Sequence, residues 1–157
     1  MVDLRAVTEG NQDAIMALAV AKDQPFVAPN QISLANAYVF WLDTGRPPIT
    51  FAIYHGDELV GFTMAAFFPT IDNPIYEVPM YYIWRFMIDQ NHQHKGHGSQ
   101  ALALLLDCLR TKPQGPADWV YLSYVPGADH ARHLYAKAGF QETGDIDEGE
   151  VVMRLAL

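Results

Sequence analysis

The chain has 157 residues, half of them hydrophobic, which is enough for one domain to bury a full core. Eighteen acids against ten bases leave a net charge of −8, the wrong sign for a nucleic-acid partner and a compatible one for cations. The single cysteine, Cys108, excludes an internal disulfide, no apolar run approaches a membrane span, and Met1–Arg5 lacks a signal peptide's apolar stretch, so a cytoplasmic protein is expected.

Val2 to Val7 alternates as a short strand, Thr8-Glu9-Gly10-Asn11 punctuates, and a helix is predicted from Gln12 to Ala21. Asp23 to Gln31, with Pro25, Pro29 and Asn30, reads as a loop. Ser33 suits the cap of a second helix, Leu34 to Leu42, which Gly45, Pro47 and Pro48 close. Strands Ile49 to Tyr54 and Glu58 to Phe68 flank the hairpin turn His55-Gly56-Asp57. After a loop from Pro69 to Pro79, Tyr81 to Ile88 is nearly continuous in apolar residues, as a central strand buried on both faces should be. A glycine-spaced turn and a helix, Ser99 to Arg110, follow at once. The loop Pro113-Gln114-Gly115-Pro116, a strand Trp119 to Val125 and a helix Asp129 to Ala138 come next. Two closing strands, Phe140 to Thr143 and Glu150 to Leu157, flank an acidic turn.

The run Gln93-His94-Lys95-Gly96-His97-Gly98 between that central strand and its helix is the most informative part of the chain. Such a turn presents successive backbone N–H groups at the positive end of a helix, where a pyrophosphate can sit. Gly96 and Gly98 allow close backbone approach, and Lys95 adds charge beside the same anion. No G-K-[ST] closes the turn, so it is not a Walker A loop, and it lacks the third glycine of a dinucleotide fingerprint. The same spacing also suits a tight turn that binds nothing.

The turn resembles the Q/R-x-x-G-x-G/A pyrophosphate motif of the GNAT superfamily of N-acetyltransferases. Leu134-Tyr135-Ala136-Lys137-Ala138-Gly139-Phe140 resembles the L-Y-x-x-x-G-F signature of the same superfamily, in the same order along the chain. The likeness extends to bacterial spermine/spermidine acetyltransferases. It is carried by Gln24-x-Phe26-Val27-Ala28-x-Asn30-x-x-Ser33-Leu34-Ala35, Trp84-Arg85-x-Met87-Ile88-Asp89, Leu122-Ser123-Tyr124-x-Pro126 and Gly144-x-x-x-Glu148-Gly149-Glu150. The resemblance implies an α/β (α+β) acyl-CoA acyltransferase fold, a single domain over residues 1–157. Its central sheet would be mixed, mostly antiparallel, and splayed between the fourth and fifth strands, with flanking helices. It also implies an acetyltransferase using acetyl-coenzyme A, without a metal, on a primary amine, with polyamines the leading acceptors and a homodimer possible.

The resemblance also distributes roles. The backbone of Phe86, Met87 and Ile88 would pair with the pantetheine arm and hold the developing oxyanion. Gln93 opens the turn, and the N–H groups of His94, Lys95, Gly96, His97, Gly98 and Ser99 would take the pyrophosphate. Tyr135 would protonate the departing thiolate, since a tyrosine with a pKa near ~10 is protonated at neutral pH. The superfamily's asparagine seven residues before that tyrosine is Ala128 here, beside Asp129, a candidate helix N-cap.

Acceptor-side groups are less sharply marked. Glu77, just before the central strand, is a candidate acting through water, and Glu148 in the acidic turn Asp145 to Glu150 is a candidate grip on a cation. Where some relatives place a glutamate early in the central strand, this chain has Tyr81 and Tyr82, and no general base is evident. Arg85, inside an apolar strand, is expected in a structural ion pair. His92, His94 and His97 lie in the turn itself, and His130 and His133 are placed on the solvent side of their helix. Cys108 reads as packing, which favours direct transfer without an acyl-enzyme. Two alternatives stay open: the same fold acting on another amine (an amino acid, an aminoglycoside or a protein N-terminus), and an acyl-coenzyme A sensor without turnover.

Overall fold

The computed structural model describes residues 1–24 and 27–157, so Pro25 and Phe26 of the first loop lie outside the described residues. Its elements are β1 Val2–Ala6, α1 Gln12–Ala17, α2 Asn30–Thr44, β2 Ile49–His55, β3 Glu58–Phe68, β4 Met80–Ile88, α3 His97–Arg110, β5 Trp119–Tyr124, α4 Asp129–Lys137, β6 Gln141–Asp147 and β7 Glu150–Ala156. That is the order read from the sequence. The seven strands form one sheet in the order β1-β2-β3-β4-β5-β7-β6. Every neighbouring pair is antiparallel except β4 and β5.

The parallel pair is short. Only Met80, Tyr81 and Tyr82 match Trp119, Val120 and Tyr121. Just past them β4 carries a bulge: Met64 pairs with Arg85 but Ala65 pairs with Ile83, which leaves Trp84 as the extra residue. A bulge adds local twist and re-aims the strand. The sheet is therefore splayed between its fourth and fifth strands.

Helices cover both faces. Leu102, Leu105, Leu106 and Leu109 of α3 recur on one side of the helix and pack with Tyr135 of α4 against Ala65, Tyr81, Val120 and Leu122. On the other face Ile15 of α1, with Leu34 and Ala37 of α2, covers Ala52, Phe62, Met64 and Met87. Among the described residues no helix is long and apolar enough to cross a membrane.

Three boundaries differ from the sequence reading by four residues, two because a side chain intervened and one because of a tight turn. The first helix stops at Ala17 instead of Ala21, since Asp89 Oδ1 accepts the Ala19 N–H at 3.0 Å and the Ala19 carbonyl accepts the Gln90 N–H at 2.7 Å. The second helix begins four residues early at Asn30, whose buried amide donates to the Ile15 carbonyl at 2.8 Å. Ser33 is thus inside the first turn and does not cap it. Strand β6 runs on to Asp147, because Glu148 (φ 49°) and Gly149 (φ 82°) make a two-residue turn in left-handed torsions. The acidic turn becomes the tip of a hairpin with Asp147 opposite Glu150.

The close approach of β3 to β4 depends on one glycine. A Cβ at Gly61 would strike the Met87 carbonyl oxygen, a backbone atom fixed in the sheet, and crowd Ile88 Cδ1 at 3.0 Å. Gly61→Ala is expected to lower unfolding free energy by about 1–3 kcal/mol, the usual range for overpacking, measured by urea denaturation. A variant as stable as the parent would contradict this register.

Candidate active site

Beyond Tyr82 and Tyr121 the strands part, and a cleft of about 1090 Å³ opens between β4 and β5. Strand alternation decides what β4 offers to it. Met87 turns its carbonyl toward Gly61 of β3, and the Asp89 N–H reaches the Val60 carbonyl at 2.8 Å. The main-chain groups of Phe86 and Ile88 therefore face the cleft, where no strand meets them. The Ile88 carbonyl accepts the Gln93 amide at 3.0 Å, and the same Nε2 donates to Gln24 Oε1 at 2.9 Å. Gln93 thus closes the turn over the strand that precedes it.

His94 (φ 62°) and Gly96 (φ 81°) both take left-handed torsions, and α3 starts at His97 with no side-chain cap. The first bond of its ladder runs from the Gln100 N–H to the Gly96 carbonyl at 3.3 Å, so His97, Gly98 and Ser99 contribute N–H groups that the helix does not use. All three residues line the cleft, as do Gln93, His94 and Gly96. A Cβ at Gly98 would make only ordinary contacts with Leu134 and Ile88 at 3.6 and 3.7 Å, so packing alone does not demand glycine there. Lys95 is the exception in the turn: its ammonium donates to the Asn91 carbonyl at 3.1 Å, away from the cleft lining.

Of the turn histidines, one is buried. His97 is buried against His55, with ring centroids 4.7 Å apart. Burial, then the fields of His55, Lys95 and His92, holds its pKa below the usual value, so the ring is neutral at pH 7. His130 and His133 are exposed on α4, as expected, and stand at the rim of the cleft, with the His130 ring 5.1 Å from that of His94. Among the described residues no group of three His, Cys, Asp or Glu is placed to hold a metal ion.

Tyr135 sits in the opposite wall. Its helix ends in a Schellman motif: the Phe140 N–H bonds the Tyr135 carbonyl and the Gly139 N–H bonds the Ala136 carbonyl, both at 3.0 Å, with Gly139 at φ 106°. That cap fixes Tyr135 between the core and the cleft. Its hydroxyl hydrogen-bonds to no described residue, and burial, with the fields of Tyr82 and Glu150 adding, pushes its pKa up to about 12. Ala128 occupies the N-cap position of α4 and Asp129 is the first helical residue, so Asp129 is not the cap.

Asp147, Glu148 and Glu150 line the cleft along with Tyr82, Ser123 and Arg85. Tyr76 donates to Asp147 Oδ2 at 2.6 Å, and Ser123 donates to Glu150 Oε2 at 3.0 Å. Glu77 is elsewhere. It pairs with Arg154 at 2.9 Å and accepts the Trp119 indole N–H at 2.8 Å, on a separate surface depression. Arg85 makes no ion pair among the described residues: its guanidinium donates to Ser33 Oγ at 3.1 Å and to the Trp84 carbonyl at 2.9 Å. The expectation of a structural ion pair fails because the serine and a carbonyl supply the partners. Burial raises the pKa of the Cys108 thiol, which suits packing and not a nucleophile.

The Tyr82–Ser123–Glu150 chain was not anticipated from sequence. Its signal was the parallel register, which sets Ser123 two residues beyond the partner of Tyr82, and that register becomes visible only when the strands are paired.

Comparison with known proteins agrees with this geometry. The family described as acetyltransferase (GNAT) matches residues 9–140. The spermine/spermidine N(1)-acetyltransferase of Bacillus subtilis (strain 168) is 31% identical over 158 residues, covering 97% of this chain and 96% of its own. Among solved structures, Arabidopsis thaliana Naa50, in complex with a bisubstrate analogue, superposes with a TM-score of 0.67 at 20% identity over 99% of both chains. The PaiA N-acetyltransferase of Thermoplasma acidophilum, in complex with coenzyme A, gives 0.71 at 13% identity over 100% and 99%.

The raised pKa of Tyr135 makes an alkaline prediction. The folded phenol ionises at about 12 and the unfolded one near ~10. Stability from the neutral buried form is complete below the unfolded value and is lost as pH rises through the folded one. Up to roughly 2–3 kcal/mol should disappear across that window, at ~1.36 kcal/mol per pK unit. Urea melts at successive alkaline pH values should show this loss in the parent chain and a correspondingly smaller one in Tyr135→Phe.

Proposed function

Because the chain belongs to the acetyltransferase (GNAT) family, we propose that its cleft binds acetyl-coenzyme A and passes the acetyl group directly to a primary amine, with a polyamine as acceptor. We take residues 1–157 as one domain devoted to that reaction. The observation that carries the reading is continuity. The open main-chain edge of Phe86 and Ile88 leads straight into the unused N–H groups of His97, Gly98 and Ser99, and the Tyr135 phenol faces the same space.

In this reading the pantetheine arm adds to β4 as another strand would, and the thioester carbonyl meets a strand N–H that can hold its developing negative charge. The pyrophosphate lies on the first turn of α3, where unused donors and the helix dipole coincide. Gly98 leaves room for it. Lys95 takes no direct part, since its ammonium is held on Asn91. The neutral amine attacks the carbonyl carbon, the C–N bond forms and the C–S bond breaks. Tyr135 gives its proton to the sulfur and is restored by the proton that the nitrogen sheds as the amide forms, while an elevated phenol pKa keeps the phenol protonated at neutral pH until then.

Asp147, Glu148 and Glu150 support a cationic acceptor, as does the name of the Bacillus subtilis relative. Glu77 is withdrawn from that role by its pairing with Arg154. One observation favours a second acceptor class. The Arg85 guanidinium lines the cleft without a carboxylate partner among the described residues, and it would suit an amine that also carries a carboxylate, such as an amino acid.

Thiol release from acetyl-coenzyme A with a panel of amines tests the reading. Turnover is expected with spermidine or spermine, and Tyr135→Phe should lower kcat by about 10²-fold or more while coenzyme A still binds. Turnover confined to amino acids would move the acceptor to the Arg85 class. Coenzyme A binding with no turnover on any amine would sink the enzymatic reading.

A further inference from the structure

We propose that Tyr82, Ser123 and Glu150 form the route by which the acceptor ammonium loses its proton, with the Glu150 carboxylate as the receiving group. The inference rests on the amine acetyltransferase reading above. That reaction has an unmet requirement. An alkyl ammonium with a pKa near ~10.4 is neutral in only about one molecule in ~2,500 at pH 7, a cost of about 4.6 kcal/mol. Only the neutral amine has the lone pair that attacks.

The hydrogen bonds in the cleft fix a direction. Ser123 Oγ donates to Glu150 Oε2 at 3.0 Å. A serine hydroxyl has a single proton, so the 2.7 Å contact between Tyr82 and Ser123 must be donated by Tyr82. Every proton in the chain therefore points toward Glu150, and the Tyr82 oxygen keeps its free lone pair. Tyr82 is the last residue of β4 paired to β5, where the cleft begins, and it lines that cleft with Ser123 and Glu150. Tyr82 also lies close enough to Tyr135 for their fields to couple, so the route starts beside the proposed acid.

The protons balance step by step. The ammonium gives one to Tyr82 Oη as Tyr82 passes its own to Ser123 Oγ and Ser123 passes its own to Glu150 Oε2. The ammonium becomes an amine, the carboxylate becomes a carboxylic acid, and both hydroxyls end as they began. Burial first, then the fields of Glu150 and Asp147, raises the Tyr82 pKa, while the neighbouring hydroxyls of Ser123 and Tyr76 act against this. Tyr82 therefore conducts a proton and does not wait as a phenolate. Several titratable or charged groups surround the route: Arg85 on β4, Asp147 on β6 with Tyr76 bonded to it, Glu148 at the hairpin tip, and Tyr135 on α4. Arg85 is the cation whose field couples to Glu150.

In this scheme Tyr82 touches the acceptor, while Ser123 and Glu150 act through it. The decisive variants are Ser123→Ala, which keeps the carboxylate's charge and breaks the route, and Glu150→Gln, which keeps a hydrogen-bond acceptor and removes the receiving group. Each is assayed at saturating acceptor and pH 7 with two primary amines, a strongly basic diamine and a fluorinated amine that is neutral at that pH. With the basic amine kcat should fall about 10²-fold in both variants. With the neutral amine kcat should match the parent, and the deficit with the basic amine should shrink as pH approaches that amine's own pKa. Equal losses with both amines, or a change in KM alone, would overturn the route and leave the residues with a binding or packing role. Coenzyme A binding and thermal melting confirm the fold, and if Glu150→Gln does not fold, Ser123→Ala decides alone. A parent chain that acetylates neither amine would defeat the enzymatic reading itself; parent turnover that the variants leave unchanged would defeat only the route.

Discussion

The constraint on which this structure turns is the brevity of the one parallel pairing in the sheet. Three residues of β4 meet three of β5, and then the strands separate. Had they stayed paired, the main-chain groups of Phe86 and Ile88 would be consumed by the ladder. Each such bond contributes about 1 kcal/mol net, and leaving a group unpaired is tolerable only where water or a ligand can reach it. The bulge at Trp84 re-aims the strand at the point of separation, and the cleft it opens holds both walls of the proposed reaction site. A sheet edge is normally a liability for aggregation; enclosed between two strands of one sheet, it is protected from other chains and open to an extended small molecule.

The turn after β4 is held at both ends by side chains that ask little of the turn itself. Asp89, nearly buried, accepts from the N–H groups of Ala19 and Asn91 and from the Asn91 amide, so one carboxylate ties the exit of α1 to the start of the turn. Gln93 spans from Ile88 to Gln24. Between these anchors His94 and Gly96 adopt left-handed torsions, and the helix N–H groups remain unclaimed. No acidic residue stands in the first turn of α3, so nothing from the chain competes there for the helix's positive end.

Much of this was legible in the sequence because it is written in local chemistry. The apolar run Tyr81 to Ile88, the glycine turn, the leucine periodicity of α3 and the Gly139 cap each follow from short-range rules, and each is where those rules place it. Apart from the longer β6, which follows from its local turn, the departures share a cause, a side chain satisfied away from its own neighbourhood. Asp89 shortens α1 from 70 residues away, and Asn30 starts α2 early by reaching back to Ile15. Arg85 finds Ser33 in place of an acid, and Glu77 finds Arg154 in place of a substrate. No window along the chain contains both members of any of these pairs. The proposed receiving group illustrates the same limit: the central strand has two tyrosines and no carboxylate, whereas the carboxylate linked to Tyr82 through a serine lies on the last strand.

Under the proposed route, that indirect placement answers a conflict inherent in acetylating a cation. Carboxylates beside the ammonium lower its free energy and so raise the amine's pKa, which makes binding easier and reaction harder. In this cleft Asp147 is bonded to Tyr76 and Glu150 to Ser123, so each carboxylate already has a neutral donor on one oxygen. The hydroxyls of Tyr82 and Ser123 join Glu150 by two hydrogen bonds to the end of the paired segment of β4. Across the cleft the Tyr135 phenol, kept neutral first by burial, feels the same negative field and holds its proton more tightly still. In the proposed route one carboxylate thus opposes ionisation of the acid and offers the ammonium's proton a destination, with two hydroxyls between it and the acceptor.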